Sequence, residues 1–338
     1  MKFLVIQTAF IGDVILATAA LEELHMSMPD AEIDFLVRKG NEALFRDHPF
    51  MRELIVWDKK KNKLVNLYKI IRQIRREKYD YVINLHRFAS SGFVTVLSNA
   101  KQTIGYKQNP LSFLFGKTFP HRMGKRGESY AHEVERNHTL IASVTKGHVF
   151  RPSLYPTAKD FQEVMVYQAK PYVCIAPSSV WFTKQWPKEK WVELINLIPA
   201  GYNIYLLGAP NDAPLAEEMI ASARRDNLYS FCGKLDFLQS AALMKKASMN
   251  YVNDSAPMHI ASAMNAPVTA IYCSTIKEFG FGPLSDVSYV IEEKQNIACR
   301  PCGLHGHKAC PLGHFQCAMD IQPKDILEKT LNTHVEIS

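Results

Sequence analysis

An α/β architecture of two doubly wound parallel sheets is what this sequence predicts, on three observations. Apolar runs of strand length alternate with amphipathic runs of helix length along the chain. Near the middle, the stretch Lys146 to Thr157, KGHVFRPSLYPT, holds two prolines and a glycine with little periodicity, and the alternation restarts after it. At 338 residues the chain also exceeds the usual size of one hydrophobic core. Two Rossmann-like domains facing across a cleft are therefore expected, 1–150 and 151–338.

In the first half, Met1 to Ile6 reads as a buried strand because it is almost wholly apolar, and a helix is expected from Val14 to about Met26. The runs EIDFLV and ELIVW follow as strands. Leu64 to Glu77 is an amphipathic helix, DYVINL (Asp80 to Leu85) a strand, and Tyr130 to Val144 a helix that closes this half. In the second half YVCIAP is a strand ending at Pro177, KEKWVELINLI a helix, and NIYLLGAP a strand turning at Gly208. Then come a helix from about Ala213 to Arg224, the strand LYSF, a helix from about Leu235 to Lys246, the strand MNYV and a helix starting near Ala256. VTAIY is expected to be the last clear strand.

Composition excludes several classes. Apolar residues make up 47% and charged ones 22%, as in a folded globular protein. No run approaches the roughly 20 apolar residues that span a bilayer, and the N-terminus enters a strand instead of a signal peptide, so a cytoplasmic location is expected. Net charge is +7, with basic runs at Lys59 to Lys63 and Arg72 to Lys78, which favours anionic partners. Neither G-x-G-x-x-G nor G-x-x-x-x-G-K-[ST] occurs, which argues against a dehydrogenase fingerprint and a P-loop.

Four constellations carry chemistry. In QTAFIGDVILA, Gln7 to Ala17, Asp13 falls in the turn after the first strand, where ligands of open α/β sheets bind. It reads either as a general base or as the N-cap of the following helix, and the roles are compatible. The segment SSVWFTKQWPKEKW brings Ser178, Ser179 and Lys184 between a strand and a helix N-terminus, a place suited to an anion. NDSAPMH, Asn253 to His259, repeats that design with Asp254, Ser255, Ala256 and His259, although Ser255 or Asp254 could equally cap the helix. Together these turns look like the two jaws of a nucleotide-diphosphate site.

The fourth is the segment 299–317. Of seven cysteines, Cys299, Cys302, Cys310 and Cys317 fall here with His305, His307 and His314 interleaved. The opening C-x2-C suits a zinc knuckle, while the remaining spacing fits no familiar zinc module. A structural or redox-sensitive loop without metal is the competing reading.

In order, the Gly12-Asp13 turn, HEVERN at His132 to Asn137, Lys184-Gln185-Trp186-Pro187 and Asp254 to His259 resemble the bacterial lipopolysaccharide heptosyltransferases of glycosyltransferase family 9. The tail with CPLGHFQC is similar to the heptosyltransferase II branch. The resemblance implies a GT-B fold, with an N-terminal acceptor-binding domain and a C-terminal donor domain. It implies inverting transfer of heptose from ADP-heptose to a lipopolysaccharide inner-core sugar, with no cofactor and no catalytic metal.

Asp13 would be the general base, and Ser178, Ser179, Lys184, Asp254, Ser255, Ala256 and His259 would line the donor site. Asp212 could meet the ribose, and Arg87, His132 and Arg136 are acceptor-side candidates. Many relatives carry glycine where Ala256 stands, and a methyl group there would restrict positive φ. The acceptor is an anionic amphiphile, so peripheral contact of the basic runs with the cytoplasmic face of the inner membrane is expected. Rival readings are a GT-B transferase for another nucleotide sugar and a non-catalytic, zinc-bearing protein that binds nucleic acid.

Overall fold

Strand order is the feature that places the functional residues. The computed structural model describes residues 1–330 and divides into two units, Met1–Met123 with Ala131–Tyr155, and Gly124–Tyr130 with the chain from Pro156 onward. In the first unit the elements are β1 (Lys2–Ile6), α1 (Ile11–Ser27), β2 (Glu32–Arg38), β3 (Met51–Trp57), α2 (Lys63–Glu77), β4 (Tyr81–Asn84), α3 (Ala89–Val96), β5 (Gln102–Tyr106), β6 (Lys117–Phe119) and α4 (Glu133–Ile141). Its six strands are all parallel, in the order β3-β2-β1-β4-β5-β6. Winding therefore reverses between β1 and β4, and the crevice at the carboxyl ends of such a pair is where ligands bind.

The sheet is apolar because helices cover it. Leu4, Ile6, Leu36, Ile55 and Val82 pack against Ile70 and Ile74 of α2 and Val94 of α3. Buried charges are paired: Asp34, fully enclosed in β2, accepts from Arg52 and from the Tyr79 hydroxyl, and Glu23 of α1 binds His138 of α4 at 2.6 Å.

The second unit holds α5 (Ala158–Met165), β7 (Tyr172–Ala176), α6 (Lys188–Leu197), β8 (Asn203–Leu206), α7 (Ala213–Ser222), β9 (Leu228–Ser230), α8 (Phe237–Lys245), β10 (Met249–Asn253), α9 (Ala256–Ala263), β11 (Val268–Tyr272), β12 (Ser288–Glu292), α10 (Gln316–Met319) and α11 (Pro323–Thr330). Its parallel order is β12-β11-β10-β7-β8-β9, so its reversal lies between β10 and β7. β7, β10 and β11 are buried at every position. Trp186 and Trp191 meet edge to face 5.0 Å apart in this core.

Local details differ from expectation. α1 starts at Ile11, with Phe10 as its N-cap, so Asp13 is the third helical residue and not the cap. VTAIY is followed by a further strand, β12, which pairs with it from Val268↔Ser288 to Tyr272↔Glu292. The helices α3 and α5 and the strands β5 and β6 also go beyond the sequence reading. α3 is short and rich in serine, β5 contains Gly105 and β6 has only three residues, so none carries a full period of pattern. α5 was signalled by a capping box that the sequence reading passed over: Thr157 and Asp160 exchange hydrogen bonds across its first turn.

Candidate active site

The β1–β4 crevice of the first unit collects polar side chains from four strand ends. Thr8 follows β1, Arg38 ends β2, Lys59 lies just beyond β3, and His86 and Arg87 follow β4. Asp13, half-buried in the first turn of α1, is the carboxylate among them. Burial and the negative charge of Glu133 push its acid up to about 6, against the pull of Arg87 and of backbone N–H bonds from Asp13 itself and Phe10. A carboxylate so placed holds its proton more tightly than an exposed one.

Glu133 is fixed by neighbours. Its carboxylate accepts from His121 Nε2 and Arg136 Nε, each at 2.8 Å, and Arg87 Nη1 lies 3.4 Å from His121 Nδ1. Burial opposes its ionisation, yet the His121 and Arg136 contacts outweigh this and hold its acid below the ordinary range. Two acceptor-side candidates have structural duties here: His132 is the N-cap of α4, accepting from Val134 N–H, and Arg136 is buried and donates to the carbonyls of Ala131 and Arg122. Arg87 meets His121, and its charge lowers the acid of Asp13.

The second unit's crevice is built from two turns that one buried side chain joins. Asn253, at the end of β10, accepts from Trp186 N–H at 3.0 Å and donates to the Pro177 carbonyl at 2.6 Å, locking the β7–α6 loop to the β10–α9 turn. Across this staple Lys184 Nζ pairs with Asp254 Oδ2 at 2.7 Å. Thr275 Oγ1 donates to the same carboxylate oxygen at 2.6 Å. Ser178 and Ser179 lie half-buried in the loop, and Gln185 Nε2 donates to the Ser179 carbonyl.

Ser255 is the N-cap of α9, but its hydroxyl points to the Asn253 carbonyl and caps nothing. Ala256 is the first helical residue, outside the positive-φ set, so the backbone conflict expected of its methyl group does not arise. His259 is buried one turn further on. Asp212 accepts from Ala209 N–H at 2.7 Å and closes the turn after β8.

The cysteine-rich segment serves as a buttress. The His307 backbone exchanges hydrogen bonds with Thr183, Ser274 Oγ donates to Thr183 Oγ1, and Cys302 N–H donates to the Ser274 carbonyl. Gly306, at φ +78°, leaves no room for a Cβ, which would fall 2.8 Å from Thr183 Oγ1 and 3.2 Å from Lys184 Cγ. The thiols are all free, with Cys310 Sγ accepting from Phe315 N–H and Cys302 Sγ bonded to the Cys299 carbonyl. Among the described residues no three His, Cys, Asp or Glu side chains converge as a metal site.

Sequence reasoning passed over Asn253, Thr275, Thr183, Thr8 and His86, although Asn253 opens the quoted NDSAPMH motif. It also placed Lys59 on a basic surface, whereas its amine turns inward to donate to Thr8 Oγ1 at 2.7 Å.

Comparison with known proteins agrees with this architecture. The family model "Glycosyltransferase family 9 (heptosyltransferase)" matches residues 67–310. Lipooligosaccharide heptosyltransferase 2 of Haemophilus influenzae is 26% identical over 353 residues, covering 97% of this chain and 98% of that protein. Lipopolysaccharide heptosyltransferase 3 of Escherichia coli is 27% identical over 283 residues, covering 79% and 82%. The solved structure of E. coli ADP-heptose LPS heptosyltransferase II superposes with a TM-score of 0.80 at 22% identity over 98% of both chains, a likeness that shows the GT-B fold. Two reversed parallel sheets and a family match running through both place this enzyme among the glycosyltransferases, and it belongs to family 9, the heptosyltransferases.

Proposed function

We propose that the enzyme transfers heptose from ADP-heptose to an inner-core sugar of lipopolysaccharide with inversion, the 1–150 half taking the acceptor and the 151–338 half the donor. The observation that carries this reading is Asp13, a carboxylate raised to about 6 at the switch point of the first sheet. Asp13 removes the proton from the acceptor hydroxyl as that oxygen attacks the anomeric carbon. The bond to the β-phosphate oxygen breaks with its electron pair, and ADP leaves. Lys184 and the N-terminus of α9 near Ser255 meet the charge that develops, without a catalytic metal in this reading.

Ser178, Ser179, Asp254, Ala256 and His259 complete the donor side. Support for the donor comes from the E. coli structure, whose name specifies ADP-heptose, and for the acceptor from the lipopolysaccharide and lipooligosaccharide enzymes to which the chain is similar. No helix among the described residues is long and apolar enough to cross a membrane. Peripheral contact with the cytoplasmic face of the inner membrane is supported by α2, which exposes Leu64, Val65 and Tyr68 beside Lys61, Lys63 and Lys69. A groove of about 520 Å³ beside them is lined by Tyr68, Arg72, Arg75, Arg76 and Leu97.

The test is ADP release from ADP-heptose with a heptose-deficient lipopolysaccharide acceptor, compared between the native protein and Asp13→Ala. Native turnover that disappears in the variant while donor binding persists supports the reading. Release only from other nucleotide sugars would refute the donor.

A further inference from the structure

The Lys59–Thr8–His86 chain lies at the β1–β4 switch point and no role has been given to it. Lys59 Nζ donates to Thr8 Oγ1 at 2.7 Å, and the same hydroxyl oxygen lies 3.2 Å from His86 Nδ1. Thr8 is 3% exposed, so its hydroxyl proton needs an acceptor inside the protein. His86 Nδ1 is the acceptor within reach among the described residues, because the other neighbour, the lysine ammonium, only donates. The imidazole must then carry its proton on Nε2. That nitrogen makes no protein hydrogen bond among the described residues, yet it is not one of the enclosed polar atoms.

The ring is also held still. The main-chain N–H of His86 donates to Asn84 Oδ1 at 2.9 Å and its main-chain carbonyl accepts from Ser91 Oγ and Asn109 Nδ2, which fixes the backbone, while Phe88 packs on the ring at 4.7 Å. Charges around it reinforce the neutral form: burial, with Lys59, Arg87 and Arg38, lowers the imidazolium acid to about 3. Lys59 is lowered to about 8 by burial and Arg38, consistent with an amine committed to the interior.

We propose that His86 is a positioning residue of a saccharide subsite, presenting a fixed, uncharged Nε2–H donor to an oxygen of the acceptor sugar. Within the transferase reading above, on which this rests, a neutral donor suits a polyhydroxylated ligand: it orients an oxygen without competing for the charge of Asp13. Lys59 and Thr8 act through His86 by fixing its tautomer.

The experiment uses the full-length protein. Nitrogen-15 NMR of the histidine rings at pH 7.5 should show His86 with its proton on Nε2, and Thr8→Val should lose that single state. A proton on Nδ1 in the native protein overturns the proposal. His86→Gln keeps an N–H donor near the Nε2 position, whereas His86→Asn keeps only the inner contact. With deacylated, heptose-deficient core saccharide as acceptor, His86→Asn should raise the acceptor KM roughly fivefold to tenfold with the ADP-heptose KM unchanged, and His86→Gln should stay near native. Equal effects of the two variants, or an equal rise in donor KM, would sink the idea. If the native protein releases no ADP from ADP-heptose, the transferase reading fails, and direct binding of the saccharide decides the subsite. Binding weakened in His86→Asn and kept in His86→Gln upholds it, and absence of native binding overturns it.

Discussion

Lys184 and Asp254 meet at 2.7 Å across the two turns that end β7 and β10, and Thr275 Oγ1 donates to the same carboxylate oxygen. The lysine is therefore aimed before any anion arrives, and Asp254 is the group that aims it. Lys184→Ala should lower kcat/KM for ADP-heptose by about 10²- to 10³-fold, and Lys184→Arg should restore only part of it because a planar guanidinium does not replace a point charge. ADP-release kinetics at varied donor check this. Because removing one partner of a buried pair is destabilising, a thermal melt of each variant separates lost folding from lost chemistry.

As the proposed general base Asp13 acts only when ionised, and its acid is raised to about 6, so kcat/KM should fall with unit slope as pH drops below about 6. Glu133→Gln removes the negative charge that helps raise it, which favours ionised Asp13 and should move the limb to lower pH. A pH–rate profile of the two proteins tests the sign; a limb displaced to higher pH would contradict the assignment.

Asn253→Ala should leave Trp186 N–H and the Pro177 carbonyl without their partner inside the core. A loss of about 2–4 kcal/mol in denaturant unfolding is expected from two such buried groups. Donor affinity should fall with it, because the staple registers both turns proposed to hold the donor.

Gly306→Ala should weaken ADP binding in calorimetry, since the new methyl group strikes Thr183 and the Lys184 stem. Gly303→Ala is the control. It also sits at positive φ, +68°, but its Cβ would meet nothing within 4 Å, so strain without collision should leave ADP affinity near native.

Replacing Leu64, Val65 and Tyr68 together by serine should reduce sedimentation with vesicles containing anionic phospholipid. Activity on a water-soluble, deacylated acceptor should be kept. Unchanged sedimentation would remove α2 from the membrane-contact reading.

Much of this architecture was legible in the residues. Periodicity is local, so apolar runs such as KFLVI and YVCIA announce strands covered on both faces, and SSVWFTKQWP and NDSAPMH announce strand-to-helix turns. Asp13, Lys184 and Asp254 were visible for the same reason: each lies in the turn or helix start that follows a strand. Strand order was not legible, because it depends on which distant segments pair, and it alone sets Thr8 beside His86 and Pro177 beside Asn253. The direction of a side chain is equally non-local. Lys59 belongs to the run KKKNK, which reads as a solvated basic face, yet its amine turns inward because Thr8 offers it an oxygen from another strand. The sequence by itself determined the two doubly wound halves and the turns that hold the charged groups. Only the tertiary structure decided which of those groups touch, since hydrogen bonds between residues tens of positions apart form only after the sheets have set their register.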